Sequence, residues 1–207
     1  MISGWSRLNV VPAHSFGVAA LAVTLASALT AGCRSGESRF EVVDYRSDGE
    51  PCRYHESFEE AYYTTEPDGN MTIVLRRQEP TVDDSRESIS QIVRIATFWR
   101  SQPGRTIADS TQINGTVSYA IIGPGGGTAY EGTGSVFFEE NRDRNELEGS
   151  LDQALLSPVR TIKEGQPIFE KAQLKGKFQA VRDRRQVVRI MNETNRLFGP
   201  AEDNGRP

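Results

Sequence analysis

Cys52 and His55 are the first residues in this sequence whose types and spacing could do chemistry. They are separated by two residues, as a pair of zinc ligands or a thiolate and its general base can be. A zinc site needs three or four protein ligands, and residues 34–207 contain no other histidine or cysteine. On one strand, side chains three positions apart point to opposite faces, which disfavours a thiolate pair. We therefore predict no metal, no cofactor and no catalytic residue from this pair.

The acidic segment from Glu131 to Glu148 is a second candidate site. Glycoside hydrolases use two carboxylates, one as the acid and the other as the base or nucleophile. A solvated acidic turn has the same composition, so a hydrolase that uses these carboxylates is kept only as the alternative to a non-enzymatic role. The acidic residues are Glu131, Glu139, Glu140, Asp143, Glu146 and Glu148.

Three lysines, Lys171, Lys175 and Lys177, share the polar face of the alternating stretch 171–180. Such a face could contact anionic lipid headgroups or acidic glycans, at about 1 kcal/mol per lysine near an anionic membrane. An ordinary solvated strand face is the alternative. The whole chain has 24 basic and 28 acidic residues and a net charge of −4. Because nucleic-acid binding needs a basic surface, we expect no nucleic-acid partner.

Aromatic and glycine-rich segments are open to two interpretations each. Trp99, Tyr119 and Tyr130 could form an exposed binding platform or belong to the core, and the sequence leaves both open. The glycine-rich segment 123–127 lacks the Gly-Lys-Ser/Thr sequence of a phosphate-binding loop. We therefore predict that this segment is the tip of a hairpin.

Alternating apolar residues and turn signals predict a chain composed mainly of strands. Asp68-Gly69 between two β-rich runs is a hairpin signal. Residues 91–100 also have helical spacing, but we favour a strand because nearly all of them are strand formers. We predict a loop at residues 158–167. The clearest predicted strands are 39–45, 58–65, 71–77, 91–100, 115–122, 128–138 and 171–180.

Two further patterns concern the long strands before that loop. Gly132 and Gly134 lie inside a predicted strand, which indicates a bulge or the close approach of another backbone. Leu147, Leu151 and Leu155 alternate with polar residues. This alternation predicts an outer strand with its leucines on one face.

The last predicted element is an amphipathic helix. Asp183 could cap its start, and Gly199-Pro200 is a strong stop signal. We predict a mainly β fold, an antiparallel β-sandwich with a small open barrel as the alternative. The helix should lie against the sheet or cap an open end of it. Its apolar face contains Val187, Ile190, Met191, Thr194 and Phe198.

The first 33 residues differ in composition from the rest of the chain. Arg7 is the only charged residue before Cys33, and residues 18–29 form an apolar run. The run suits the centre of an export signal and is shorter than the ~20 apolar residues of a spanning helix. It is followed by Thr30-Ala31-Gly32-Cys33. Together with Leu29, this ending resembles the lipobox of bacterial lipoproteins.

The resemblance implies a specific fate for Cys33. In that family a diacylglycerol is attached to the cysteine sulfur, the signal is cut before the cysteine, and the new amine is usually acylated. One acyl chain holds a protein to a bilayer only marginally, whereas two or more hold it stably. Residues 1–32 would then be a signal peptide, 33–38 a tether, 39–199 a single β-rich domain and 200–207 a flexible tail.

These expectations combine into one functional prediction. The chain should be a lipid-anchored protein of the bacterial cell envelope with a binding or structural role, and a protein or glycan of the envelope should be its partner. Arg34 is not the aspartate that the family associates with inner-membrane retention, which favours the outer membrane over the periplasmic face of the inner membrane. The alternative is an envelope hydrolase that uses the carboxylates near Glu131–Glu148.

Overall fold

Nine strands and one helix account for most of the residues that the computed structural model describes, which are 37–45, 49–80, 88–98, 113–162 and 167–199. They all belong to one compact unit, residues 34–207. The lipobox-like segment and the predicted tail 200–207 lie outside the described residues. Within the described residues, no helix has the length and apolar character needed to cross a membrane.

The strands alternate with short turns, and the helix comes last. The elements are β1 (Ser38–Asp44), β2 (Cys52–Phe58), β3 (Glu60–Thr65), β4 (Met71–Pro80), β5 (Ser88–Thr97), β6 (Gly115–Gly123), β7 (Gly126–Asn141), β8 (Glu146–Ile162), β9 (Ala172–Arg182) and α1 (Arg184–Phe198).

The sheet closes on itself into a barrel of seven strands. Strands β3 to β8 form an antiparallel meander, and β9 is antiparallel to β8. The ring closes where β9 runs parallel to β3, through Tyr62 opposite Val181 and Tyr63 opposite Arg182. A closed ring with an odd number of alternating strands must contain one parallel pair. The hairpin β1–β2 is attached to the first half of β9.

The barrel corrects the predicted architecture. The mainly β fold and the C-terminal helix are confirmed, but the preferred β-sandwich is wrong, and the barrel alternative is closed rather than open. The physical reason lies in β7 and β8, which are 16 and 17 residues long and change register at bulges. Bulges bend a strand and increase its twist, so a long bent pair can curl until its far edge meets β9.

Glycines permit this bending. A Cβ atom on Gly132 would lie 1.8 Å from the carbonyl oxygen of Leu155, and one on Gly134 would lie 2.5 Å from that of Gln153. The predicted close approach at both glycines is therefore confirmed, and a register shift follows Gly134.

A bulge in β8 also corrects the predicted leucine face. Leu147 and Leu151 are buried, but the register of β8 against β9 shifts between Leu151 and Ala154. The shift turns Ala154 inward and leaves Leu155 61% exposed. The alternation that predicted three leucines on one face is valid only before the bulge.

Other boundaries were predicted with mixed success. The strand interpretation of residues 91–100 is confirmed for β5, and both predicted hairpins form. The predicted loop at 158–167 is wrong in its first half, because β8 continues to Ile162. Strand β2 had no sequence signal of its own.

Apolar side chains occupy the inside of the barrel. Tyr63, Tyr119 and Tyr130 are all buried there, which assigns the latter two to the core rather than to an exposed platform. The predicted apolar face of β9 is buried as well, as Ala172, Leu174, Phe178 and Ala180 show. Trp99 lies outside the described residues.

Helix α1 packs on the outer face of the barrel. Its N-cap Asp183 accepts hydrogen bonds from the backbone N–H groups of Arg185 and Gln186, as the sequence predicted. Gly199 ends the helix at φ 78°, a conformation that favours glycine. A second apolar cluster lies beneath the helix and contains Val74, Ile92, Ala120, Val187 and Ile190.

Candidate functional site

The pair Cys52 and His55 is not assembled into a site. Both residues lie on β2 at an odd spacing, so their side chains point to opposite faces. The Cys52 thiol lies 3.9 Å from the carbonyl oxygen of Glu50, and His55 is exposed. No group of three or more His, Cys, Asp and Glu side chains that could hold a metal ion occurs in the described part of the chain.

The acidic segment is spread along the β7–β8 hairpin. Glu131 lies eight residues before Glu139, which corresponds to about 26 Å along a strand. Glu139 and Glu148 are directly opposite each other in the register, and both are exposed. Glu140 instead accepts a hydrogen bond from the hydroxyl of Tyr63 at 3.1 Å. The structure therefore brings together one pair of the six carboxylates.

The predicted lysine face carries acidic neighbours. The Lys175 ammonium lies 2.9 Å from a carboxylate oxygen of Glu41. The hydrogen bond from Lys175, followed by that from Arg53, holds the pKa of Glu41 below its usual value. Lys177 lines a surface groove together with Glu139 and Glu148. The contact of Lys171, Lys175 and Lys177 with an anionic surface stays a prediction, and acidic side chains compete for two of these lysines.

A polar chain leads from the barrel interior to β2. The hydroxyl of Tyr119 donates to Oε1 of Gln91 at 2.7 Å, and the Gln91 amide donates to Glu56 at 3.3 Å. Glu56 also pairs with Arg77. Burial, and then the charge of Glu56, raises the pKa of Tyr119, so the phenol stays protonated and keeps its role as a donor.

The strongest candidate site is a cleft between α1 and the outer barrel face, which we call the α1 cleft. Its cavity volume is about 60 Å³. Side chains from β4 to β8 form its floor, and the second half of α1 forms its roof. The lining residues are Val74, Ile92, Arg94, Ser118, Tyr119, Ala120, Ala129, Glu131, Val159, Arg160, Met191, Thr194, Asn195, Phe198 and Gly199.

Small residues in the floor explain why space remains. Ala120 and Ala129 are direct cross-strand partners on β6 and β7. Nearer the start of the helix, Val187 and Ile190 fill the contact with the sheet and are buried. Toward the end of the helix, the two small alanine side chains leave a gap. Phe198 of the helix also lines this gap and is half-buried.

Three polar residues form one row across the floor. Arg94 on β5 is the cross-strand partner of Ser118 on β6, and Ser118 is the partner of Glu131 on β7. The Nε atom of Arg94 is buried and has no hydrogen-bond partner among the described residues. No ion pair joins Arg94 to Glu131 in that part of the chain, although both line the same cleft.

Arg76, close to Arg94, shows the opposite behaviour. Arg76 is 6% exposed and binds Glu60 with two nitrogens, at 2.6 and 3.1 Å, and Glu193 of α1 at 3.0 Å. Arg160 donates from Nη1 to the carbonyl oxygen of Phe198 at 2.6 Å, which fixes the last turn of the helix. These two arginines attach α1 to the barrel, whereas Arg94 faces the cleft without such a partner.

The sequence held only part of this site. Glu131 was predicted as a candidate carboxylate, but the prediction grouped it with the acidic residues from Glu139 to Glu148. In the structure it lies beside Ser118, in one row with Arg94. Arg94 stands among strand formers, and no local pattern marks it as different from any outward-facing charge. No family model, curated protein or solved structure matches the chain.

Proposed function

We propose that the chain is a lipid-anchored protein of the bacterial cell envelope that acts by binding a ligand in the α1 cleft. The anchor is supported by the lipobox-like ending at Cys33 and the apolar run before it. The anchored protein would reside at the periplasmic face or in the outer membrane. The observation that carries the binding role is the unpaired guanidinium of Arg94, whose Nε is buried without a partner among the described residues, in a cleft lined mainly by apolar side chains.

The free-energy cost of an unpartnered buried donor supports a binding role for the cleft. A buried donor without a partner costs about 1–3 kcal/mol relative to a satisfied one. Most buried polar groups in proteins are therefore paired, and the exceptions call for an explanation. A ligand with an acceptor group would supply the guanidinium of Arg94 with a partner on binding. Apolar walls with a few placed polar groups are the usual composition of small-molecule sites.

A cleft-filling variant tests the binding role. Ala129→Phe places a ring where the floor is small, so we expect the variant to exclude the ligand. Native mass spectrometry of the full chain, extracted from its own envelope, should show a bound small molecule on the wild-type protein and none on the variant. Thr133→Phe, at an exposed position of the same strand, is the matched control and should keep the adduct. An adduct retained by Ala129→Phe would contradict the proposal.

An envelope hydrolase remains the second candidate because Glu139 and Glu148 face each other across β7 and β8. Cross-strand partners have Cβ atoms about 4.5–5.5 Å apart, so their carboxyl groups can reach the separation of about 5–5.5 Å that retaining glycoside hydrolases use. The amide of Gln179 donates to Glu148 at 3.3 Å. Hydrolysis of an envelope glycan that is lost in Glu148→Gln and kept in Glu146→Gln would favour this candidate over the binding role.

A further inference from the structure

The row of Arg94, Ser118 and Glu131 offers a donor, a hydroxyl and an acceptor at the same level of the barrel. Neighbouring strands are about 4.8 Å apart, so the Cα atoms of Arg94 and Glu131 are separated by about 10 Å. Arginine and glutamate side chains are long enough to meet over that distance. In the described part of the chain they do not, and the space between them lies inside the α1 cleft.

The charges of this row restrict the chemistry of an occupant. A simple anion would pair with Arg94 but would lie beside the carboxylate of Glu131. A simple cation would pair with Glu131 but would lie beside the guanidinium of Arg94. An occupant that carries an acceptor on one side and a donor on the other satisfies both groups, because opposite charges attract and like charges repel at these distances.

The size and walls of the cleft restrict the occupant further. A cavity of about 60 Å³ corresponds to about two water molecules, each of which occupies about 30 Å³ in the liquid. This volume limits the enclosed part of an occupant to its small charged groups, and a longer group must extend out of the cavity. The path is apolar: it passes Ala120 and Ala129 in the floor and reaches Val159, which is 47% exposed.

We propose that the α1 cleft binds a zwitterionic small molecule of the α-amino-acid class with an apolar side chain, an inference that rests on the binding role proposed above. Its carboxylate accepts hydrogen bonds from the guanidinium of Arg94, which makes no hydrogen bond or ion pair within the described residues. Its ammonium donates to the carboxylate of Glu131, with the Ser118 hydroxyl between them. The apolar side chain lies along Ala120 and Ala129 toward the mouth of the cleft.

The test compares one zwitterion with its two halves. L-Leucine carries both charges, 4-methylvalerate carries only the carboxylate, and isopentylamine carries only the ammonium. Each is titrated into the isotope-labelled full chain in detergent, and the backbone amide signals of Ala120 and Ala129 are followed by NMR. We expect saturable shifts with L-leucine and much weaker binding of both halves. A charge-assisted hydrogen bond contributes about 1.5–3 kcal/mol, so each half should bind about tenfold or more weakly.

Substitutions test which residue of the cleft binds each charged group of the ligand. Arg94→Gln and Glu131→Gln should each weaken L-leucine binding by about tenfold or more, by the same argument. Arg185→Gln, at an exposed arginine of α1 outside the cleft, is the matched control and should bind as the wild type does. The absence of cleft shifts with L-leucine, or equal binding by the wild type and both cleft variants, would overturn the proposal.

Two outcomes separate this inference from the broader proposal. If 4-methylvalerate binds as tightly as L-leucine, the ligand class is an anion, and the zwitterion is wrong while the binding role stands. If the envelope adduct is lost from Ala129→Phe but L-leucine does not displace it, the class is again wrong and the role stands. If neither adduct nor leucine shifts occur, both proposals fail.

Discussion

Arg76 and Arg94 lie on neighbouring strands of the same outer face, yet they differ in what surrounds their guanidinium groups. Arg76 is neutralised by Glu60 and Glu193, and Arg189 of α1 joins this network 3.5 Å from Glu60. Arg94 has a buried Nε without a partner in the described chain. The first arginine contributes to stability, and the second is available for a ligand.

Substitution by methionine should separate these two roles. Arg76→Met leaves Glu60 and Glu193 with only the more exposed Arg189 as a cationic partner, so we expect the free energy of unfolding to fall by about 1–3 kcal/mol. The loss should be smaller than for a fully buried pair because Glu60 and Glu193 are partly exposed. Arg94→Met removes an unsatisfied donor, so it should leave stability unchanged or slightly higher. Urea denaturation measures both values. A larger loss in Arg94→Met than in Arg76→Met would contradict the assignment.

Tyr63 should make part of the stability dependent on alkaline pH. Burial and the neighbouring carboxylate of Glu140 raise the pKa of Tyr63 to about 12, above the ordinary value of 10.0. The protonated phenol is therefore favoured in the folded state, and its contribution is complete below pH 10. Between about pH 10 and pH 12 the unfolded chain loses this proton first, so stability falls as pH rises.

Tyr63→Phe tests this dependence. The variant should lose stability less steeply than the wild type between pH 9 and pH 11, in urea midpoints measured at each pH. At neutral pH it should be less stable by about 1 kcal/mol, since the hydrogen bond to Glu140 is absent. Other buried tyrosines titrate as well, so the slope should decrease rather than vanish. Parallel curves for the two proteins would argue against the role of Tyr63.

The sequence identified individual functional or capping residues only where the residue type and its neighbours already suggested a role. Glu131 belonged to an acidic segment, and Asp183 stood before an apolar face with helical spacing. Arg94 and Ser118 are ordinary strand residues in the sequence. Only the cross-strand register places them in one row with Glu131. Register between β5, β6 and β7 depends on the two connections that join these strands and cannot be deduced from any one strand.

At the scale of elements, the bulged pair β7–β8 allows the barrel to close. Gly132→Ala should destabilise the fold by several kcal/mol or prevent folding, because the new Cβ would overlap the carbonyl oxygen of Leu155. Gly125→Ala, at an exposed glycine with no atom within 4 Å of the new Cβ, is the matched control and should change stability by less than about 0.5 kcal/mol. Circular dichroism during thermal unfolding compares them. Equal melting temperatures would contradict the tight approach.

The elements themselves were largely predictable, and their irregularities were not. The alternation in 171–180 gave the buried face of β9, and helical spacing gave the buried face of α1. The bulge at Leu151–Ala154 has no local signal, because Asp152 and Gln153 read as an ordinary polar interval. The predicted period-two pattern was therefore extended past the bulge, and Leu155 was assigned to the wrong face of the strand.

At the scale of the whole molecule, closure depends on one short parallel contact. Tyr62 and Tyr63 of β3 meet Val181 and Arg182 of β9, which are far away in the chain. Local sequence patterns identify strands but do not say which distant edges pair. A sandwich and a barrel can be built from the same strands, so the sequence could identify the class of fold and not its closure.

The proposed anchor determines where the cleft operates. The Cα atoms of Cys33 and Ser38, where β1 begins, are five residue steps apart in the sequence, so a fully extended tether would span at most about 18 Å. The barrel would remain within that distance of the lipid headgroups. A ligand bound in the α1 cleft would then be held at the membrane surface rather than carried through the periplasm.

The most direct test is the intact mass of the native protein, extracted from the envelope of cells that produce it. We predict a polypeptide that begins at Cys33 and carries a diacylglycerol on its sulfur together with an acylated amine, and we predict that Cys33→Ser abolishes both the lipid and the membrane attachment. A chain that still begins at Met1, or one that begins at Cys33 with a free thiol, would contradict the lipid-anchored account.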